Sequence, residues 1–149
     1  MVDYRDNNDH KYMSRPAIFI TGAAVGIGRA TAELFAARGW FVGLFDIDDA
    51  GVEKLARELP AGASVAGKLD VSDAAAMESA LARFWEASGG RLDLMFNNAG
   101  IVAVDDFEAI PLSRHHRLID VNFKGMVNGC YAAFPYLKKT PGARLLSMS

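Results

Sequence analysis

Several features are scarce in this chain. It holds one cysteine, Cys130, which excludes an internal disulfide framework and suits a reducing cytoplasm, the compartment expected here. It has no large charge excess: 16 basic against 18 acidic side chains leave a formal net charge of −2. Neither nucleic acid nor an anionic membrane gains much attraction from such a surface, so neither is expected as a partner. No apolar run approaches the ~20 residues of a transmembrane helix, and the polar opening Met1–Arg15 lacks the apolar centre of a signal peptide. No Lys-Ser or Lys-Thr pair follows the glycines that begin at Gly22, which argues against a P-loop. A G-x-S-x-G hydrolase elbow is also missing. His115 and His116 are adjacent, with no second ligand cluster at metal spacing, so no metal site is expected.

What is present is an alternation of short apolar runs with longer helix-period segments. At 149 residues the chain has the length of one domain, and its 51% hydrophobic content supplies a core. Residues 1–15 read as a flexible polar arm, with Met13 as an alternative start, and residues 16–149 as the domain. Ala17–Thr21, Trp40–Phe45, Ala63–Leu69, Leu92–Phe96 and Ala143–Met148 read as strands, the first a continuous apolar run of the kind covered on both faces. Gly26–Arg38 is an Ala-rich helix closed by Gly39. In Asp49–Leu59, Val52, Leu55, Ala56 and Leu59 form one helical stripe. Ser72 or Asp73 caps the next helix, whose stripe is Met77, Ala80, Leu81 and Phe84. Ser113–Lys138 reads as one long helix that Pro135 kinks or breaks near its end. Five strands alternating with four helices predict an α/β fold, a doubly wound parallel sheet with right-handed crossovers.

The first strand leads into Thr21-Gly22-Ala23-Ala24-Val25-Gly26-Ile27-Gly28. Gly22 permits a tight turn that a Cβ hinders, Gly26 lets backbone N–H groups approach a pyrophosphate, and Gly28 permits close helix–sheet packing. The helix that follows aims unpaired N–H groups and the positive end of its dipole at such an anion. The dipole contributes only about 0.3–1 kcal/mol when exposed, so shape and several hydrogen bonds must supply the remainder. The spacing, T-G-x-x-x-G-x-G, departs from G-x-G-x-x-G, and on these residues alone a turn without a ligand is the alternative.

Further motifs follow in order. Asp46 ends the second strand, Leu69-Asp70-Val71 follows the third, Asn97-Asn98-Ala99-Gly100 follows the fourth, and Val121-Asn122-Phe123-Lys124-Gly125 lies in the long helix. With the glycine turn, this ordered set makes Pro16–Ser149 resemble the short-chain dehydrogenases/reductases. The resemblance implies a Rossmann-like sheet, truncated here after its fifth strand. It also implies NAD as cofactor, bound by Gly22, Ala23, Ala24, Val25, Gly26, Ile27, Gly28, Asp46, Ile47, Asp70, Val71, Asn98, Ala99 and Gly100. An acid at position 46 accepts hydrogen bonds from ribose hydroxyls and repels a 2′-phosphate. Unit charges about 4 Å apart interact at roughly 4 kcal/mol for an effective dielectric of about 20. Neither Ala24 nor Val25 offers a cation for that phosphate, so NAD is expected over NADP. Asp70 resembles the residue that meets the adenine edge, and Asn98, Ala99 and Gly100 the segment leading towards the nicotinamide. The bland alternatives are a helix-capping or solvated loop acid for Asp46, simple capping of the next helix for Asp70 and a backbone-holding role for Asn97, while Ile101 packs either beneath the cofactor or in the ordinary core.

The chemistry implied by the family is hydride transfer between NAD(H) and an alcohol or carbonyl substrate. The substrate oxygen exchanges a proton as the hydride moves. A tyrosine hydroxyl titrates near about 10 and needs a neighbouring cation to act near neutrality. In the family a lysine four residues after the tyrosine supplies it, a serine orients the substrate oxygen, and a helix asparagine completes a proton relay. Asn122 is the member of that catalytic set carried here; local bonding to backbone is its alternative. Tyr-x-x-x-Lys does not occur, because Tyr131 is followed by Pro135 and Tyr136 by Thr140. Arg144–Ser149 resembles the strand before the family's serine, which falls just past Ser149; Ser147 or Ser149 in that role is the weaker option. The expectation is the N-terminal, cofactor-binding portion of an oxidoreductase, inactive by itself and a homo-oligomer when complete, with the long helix at an interface. The competing class is a noncatalytic NAD-binding or interaction module.

Overall fold

The computed structural model describes residues 15–148. The polar arm expected over residues 1–15 therefore lies outside the described residues except for Arg15, as does Ser149. In chain order the elements are β1 (Ala17–Thr21), α1 (Gly26–Ala37), β2 (Phe41–Asp46), α2 (Asp49–Glu58), β3 (Ser64–Lys68), α3 (Ala74–Ala87) and β4 (Leu94–Asn97). A 3-10 turn (Phe107–Ala109), α4 (Leu112–Ile119), a π-helical turn (Asp120–Lys124), α5 (Gly125–Leu137) and β5 (Arg144–Ser147) follow. Every sheet pairing is parallel, in the order β3-β2-β1-β4-β5. The α/β doubly wound, Rossmann-like arrangement is the one expected.

The central strand explains why its run of apolar residues shows no alternation. Ile18 and Ile20 pack with Val42, Leu44, Val52 and Leu55 on the side of α1 and α2. Phe19 points the other way, towards α3 and α5, with Phe45, Met77, Leu81 and Phe84. Its ring stacks on Phe45 at 4.5 Å and meets Phe84 edge-on at 5.4 Å. Each such side chain contributes about 1.5–3 kcal/mol by leaving water, and paired rings add about 0.5–1.5 kcal/mol. Strand ends differ by one or two residues from the reading above. Trp40, for instance, stands outside β2 and packs edge-on against Phe35 of α1 at 4.8 Å.

Two helix starts are closed by side chains. Asp48 accepts from Gly51 N at 3.0 Å at the head of α2, and Asp73 accepts from Ala76 N at 3.0 Å at the head of α3. The N-cap of α1, Val25, makes no side-chain cap, and its first turn carries no acid.

The single helix expected over Ser113–Lys138 is instead α4, the π turn and α5 in succession. A π turn inserts one residue into a helical path, so a 3.6-residue stripe does not reveal it. Nor does Pro135 end α5, which runs on to Leu137. The proline removes a bond to the carbonyl of Tyr131, and Tyr131 lies on the exposed face of the helix, where a carbonyl without that partner can be solvated.

Because β1 leads to α1 on one face and β4 leads to α4 and α5 on the other, the adjacent strands β1 and β4 form a topological switch point. Loops diverge there beyond the carboxyl ends of the strands, and the resulting crevice is where this sheet type takes ligands.

Candidate functional site

At that crevice the chain encloses a cleft of about 300 Å³. Gly22 and Val25 border it from the first loop, Asp46 and Ile47 from the second, Asp70 and Val71 from the third, and Asn98, Ala99 and Gly100 from the fourth. Nine of the fourteen expected cofactor residues thus line one space. The other five do not. Ala23 and Ala24 have their side chains in the core, at 0% and 4% exposure, because the turn folds back onto β2 through Ala23 N donating to Phe45 O at 3.2 Å. Gly28 is buried against the turn, whereas Gly26 and Ile27 are exposed at the start of α1. These residues set the position of the helix end rather than the cleft wall.

The turn is held from below by a clamp that the motif reading missed. Thr21 is buried at the end of β1, and its Oγ1 accepts from Asn98 N and Ala99 N, both at 3.0 Å. Asn98 Nδ2 donates back to Thr21 O at 3.0 Å and Gly22 O at 3.1 Å. Two lone pairs on one hydroxyl are thereby used, and the loops after β1 and β4 are joined across their divergence. The available sequence signal was a polar β-branched residue closing an otherwise apolar strand.

Gly22 and Gly26 adopt φ values of 68° and 57°, in the left-handed region that favours glycine. At Gly22 space is limiting as well, since a Cβ there would lie 2.9 Å from Ala99 Cα.

Asp46 does not cap α2. Its Oδ2 accepts from Ala24 N at 3.0 Å and its Oδ1 from Asp48 N at 3.0 Å, so the acid ties the glycine turn to the end of β2 while bordering the cleft. Asp70 is likewise no helix cap, because Asp73 does that work. Asp70 Oδ1 accepts from Ser72 N at 3.0 Å and Ser72 Oγ at 2.6 Å, and Oδ2 accepts from Arg117 Nη2 at 2.9 Å. Arg117, on α4, also borders the cleft, and the sequence reading did not select it. Nor did it select Leu69 or Val121, two further wall residues.

Burial pushes the Asp70 carboxyl up, but the hydrogen bonds from Ser72 and Arg117, together with the guanidinium charge, carry it below the usual carboxylate value. A carboxyl lowered by folding contributes stability above its unfolded value, about 3.9, and loses that contribution as pH falls through the folded value. Asp70→Asn is therefore expected to flatten the decline of stability below about pH 4. Urea midpoints measured stepwise through the acid range check this, and an acid decline identical to that of the parent chain would count against it.

Asn122 lies in the π turn and is exposed rather than buried. Its Oδ1 accepts from Ile101 N at 2.8 Å and its Nδ2 donates to Ile101 O at 2.9 Å. The amide thus completes both backbone groups of Ile101, 21 residues away in sequence, and fixes the loop after Gly100 onto the helix. Asn97 is buried and donates from Nδ2 to Cys130 Sγ at 3.5 Å and Ser147 Oγ at 3.4 Å, a structural placement. His115 packs on Phe107 with ring centroids 4.9 Å apart. Among the described residues no group of three or more His, Cys, Asp or Glu side chains is placed to hold a metal ion, and no helix is long and apolar enough to cross a membrane.

A parallel, doubly wound sheet with a glycine turn and an uncapped helix at its switch point defines a Rossmann-type domain. The family profile described as short chain dehydrogenase matches residues 16–149, and the chain belongs to that family. The probable oxidoreductase EphD of Mycobacterium tuberculosis is 42% identical over 123 residues, covering 81% of this chain and 21% of that protein. Oxidoreductase UcpA of Salmonella typhimurium is 39% identical over 132 residues, covering 87% of this chain and 49% of the relative. A short chain dehydrogenase/reductase from Burkholderia phymatum, solved in complex with NAD, superimposes with a TM-score of 0.83 at 28% identity, over 90% of this chain and 48% of that one. The chain therefore spans half the length or less of these relatives.

Proposed function

We propose that this chain is the dinucleotide-binding portion of an oxidoreductase that moves a hydride between NAD(H) and an alcohol or carbonyl compound. The observation that carries the reading is the uncapped start of α1 at the cleft, with the Asp46 carboxylate at its rim. Unpaired first-turn N–H groups suit a pyrophosphate, and a carboxylate at the end of β2 suits ribose hydroxyls. Asp70 would meet the adenine, and Asn98, Ala99 and Gly100 would border the path to the nicotinamide, the group that supplies the hydride chemistry when bound. With the Asn122 amide committed to Ile101, the part of Asn122 left for a proton relay is its backbone carbonyl. Similarity to an NAD complex supports the cofactor class. A homo-oligomer formed along α5 is part of the same reading, supported by the exposed Val127, Tyr131 and Phe134 on that helix.

Preference for NAD over NADP rests on Asp46 and on the lack of a cation at Ala24 and Val25. Calorimetric titration of the chain is expected to show tighter binding of NAD, and Asp46→Asn is expected to narrow the ratio about tenfold, which corresponds to about 1.4 kcal/mol of charge repulsion. Asparagine preserves an oxygen for one of the two backbone donors, so the substitution tests charge before shape. Equal affinity for the two dinucleotides in the parent chain would sink the preference, and no heat with either would sink the cofactor reading. The 149 residues carry no Tyr-x-x-x-Lys, so binding without turnover is expected from this chain by itself.

A further inference from the structure

Arg117 is the one cation among the described residues lining the cleft, and it reaches there from α4. Its Nη1 donates to Ser72 Oγ at 2.9 Å and its Nη2 donates to Asp70 Oδ2 at 2.9 Å. Ser72 Oγ in turn donates to Asp70 Oδ1 at 2.6 Å, which closes a ring of three side chains spanning up to 47 residues of sequence. The Asp70 and Arg117 side chains are 36% and 41% exposed. Ion pairs in that range add little to stability, so stabilisation alone is a poor account of the ring.

The hydrogen-bond inventory suggests a different use. An ionised carboxylate has about four acceptor positions. Ser72 fills two on Oδ1 and Arg117 fills one on Oδ2, which leaves one on Oδ2, on a residue that borders the cleft. Arginine does not give up its proton, and it keeps the carboxyl in the form that accepts and cannot donate. Ile47 and Val71 border the same space with apolar side chains. An apolar slot with one fixed, acceptor-only edge fits a planar heteroaromatic ring that presents an N–H group, and it opposes a ring with a carbonyl at that place.

Resting on the dinucleotide reading above, we infer that Arg117 is a positioning residue that gives the cleft its base selectivity. It pins the Asp70 carboxylate so that an amino-bearing purine is favoured over an oxo-bearing one. It touches Asp70 and Ser72, and it acts through them.

The test compares NAD with its hypoxanthine analogue, which carries a carbonyl in place of the exocyclic amine and a proton on the adjoining ring nitrogen. The parent chain, titrated by calorimetry, is expected to bind NAD about 10- to 100-fold more tightly than the analogue, the range of one charge-assisted hydrogen bond. Arg117→Met keeps an unbranched apolar stem and removes the guanidinium donors, and it is expected to reduce that ratio about fivefold or more. Arg117→Lys restores a cationic donor group without the two-nitrogen fork and is expected to recover part of it. Urea midpoints close to that of the parent chain would show that both variants fold, and a merely structural arginine would change both affinities together and leave the ratio alone. An unchanged ratio in Arg117→Met overturns the inference, as does equal binding of the two dinucleotides by the parent chain, and in either case NAD binding itself stands. Binding of neither dinucleotide by the parent chain overturns the cofactor reading and this inference with it.

Discussion

Gly28→Ala is expected to lower stability by about 3 kcal/mol or more and to weaken dinucleotide binding at least about a hundredfold. The reason is space rather than backbone freedom, since Gly28 has no positive φ. A Cβ at this position would lie 2.0 Å from Gly22 O and 2.7 Å from Asn98 Nδ2. The first is backbone, and the second is a side-chain terminus held by two hydrogen bonds to backbone carbonyls. Gly22 O already accepts from Asn98 Nδ2, and Asn98 is joined to Thr21, so the obstruction is the clamp that unites the two diverging loops. Helix α1 would have to withdraw from the turn, and its first-turn N–H groups would move with it. For a chain of this size each 1 kcal/mol lowers the melting temperature by about 2–4 °C, so a drop near 10 °C is expected. Gly26→Ala is the control. A Cβ there meets nothing within 4 Å, and its cost is the left-handed backbone alone, about 1–2 kcal/mol. A Gly28→Ala chain as stable as the Gly26→Ala chain, with NAD affinity retained, would show that the close approach of α1 to the turn is not what shapes the cleft.

The residues that were legible in sequence are those whose signal is local. The unbroken AIFIT run announced a strand covered on both faces, and β1 is buried along its whole length. The glycine turn, Asp46 and the motif after β4 fell in chain order at the ends of successive strands, which the parallel topology gathers at one edge. What stayed hidden is long-range. The Thr21–Asn98 clamp joins positions 77 residues apart, and the Arg117–Asp70 bond joins positions 47 apart. Neither a period of 2 nor one of 3.6 reports such a pair. Arg117 also sits in the polar run Ser113-Arg114-His115-His116-Arg117, where nothing local distinguishes it from its neighbours. Burial of Ala23 and Ala24 was hidden for another reason. Their place in a loop motif suggested contact with a ligand, whereas the turn folds their small side chains inward beneath it. The π turn escaped because one inserted residue leaves the apolar stripe of a helix nearly intact.

Gly129→Ala is the second substitution with a large expected effect, and Asn97 is the reason. A Cβ on Gly129 would lie 2.0 Å from Asn97 Oδ1 and 3.0 Å from Met95 Cε. Asn97 is 5% exposed, and its Oδ1 is buried without a hydrogen-bond partner, so this oxygen has no solvent to retreat into. Overpacking at such a contact costs about 1–3 kcal/mol, and the backbone-anchored position of Asn97 at the end of β4 puts Gly129→Ala near the upper end, about 3 kcal/mol. Asn97→Ala removes the obstacle along with its contacts to Cys130 and Ser147, and is expected to cost about 1 kcal/mol. In the double variant the new methyl enters the volume that the amide vacated. The combined loss should therefore fall short of the sum of the single losses by about 1.5–2 kcal/mol, well beyond the ~0.5 kcal/mol scatter of independent sites. Urea unfolding of the four chains measures that coupling. The same series reads the cleft, because α5 continues directly from the π turn in which Asn122 holds Ile101. If Gly129→Ala lifts α5 from β4, hydrogen exchange at the Ile101 amide should accelerate in the single variant and slow again in the double. Additive losses with an unaltered Ile101 amide would mean that α5 absorbs the methyl locally, and that the spacing between helix and strand does not set the far wall of the cleft.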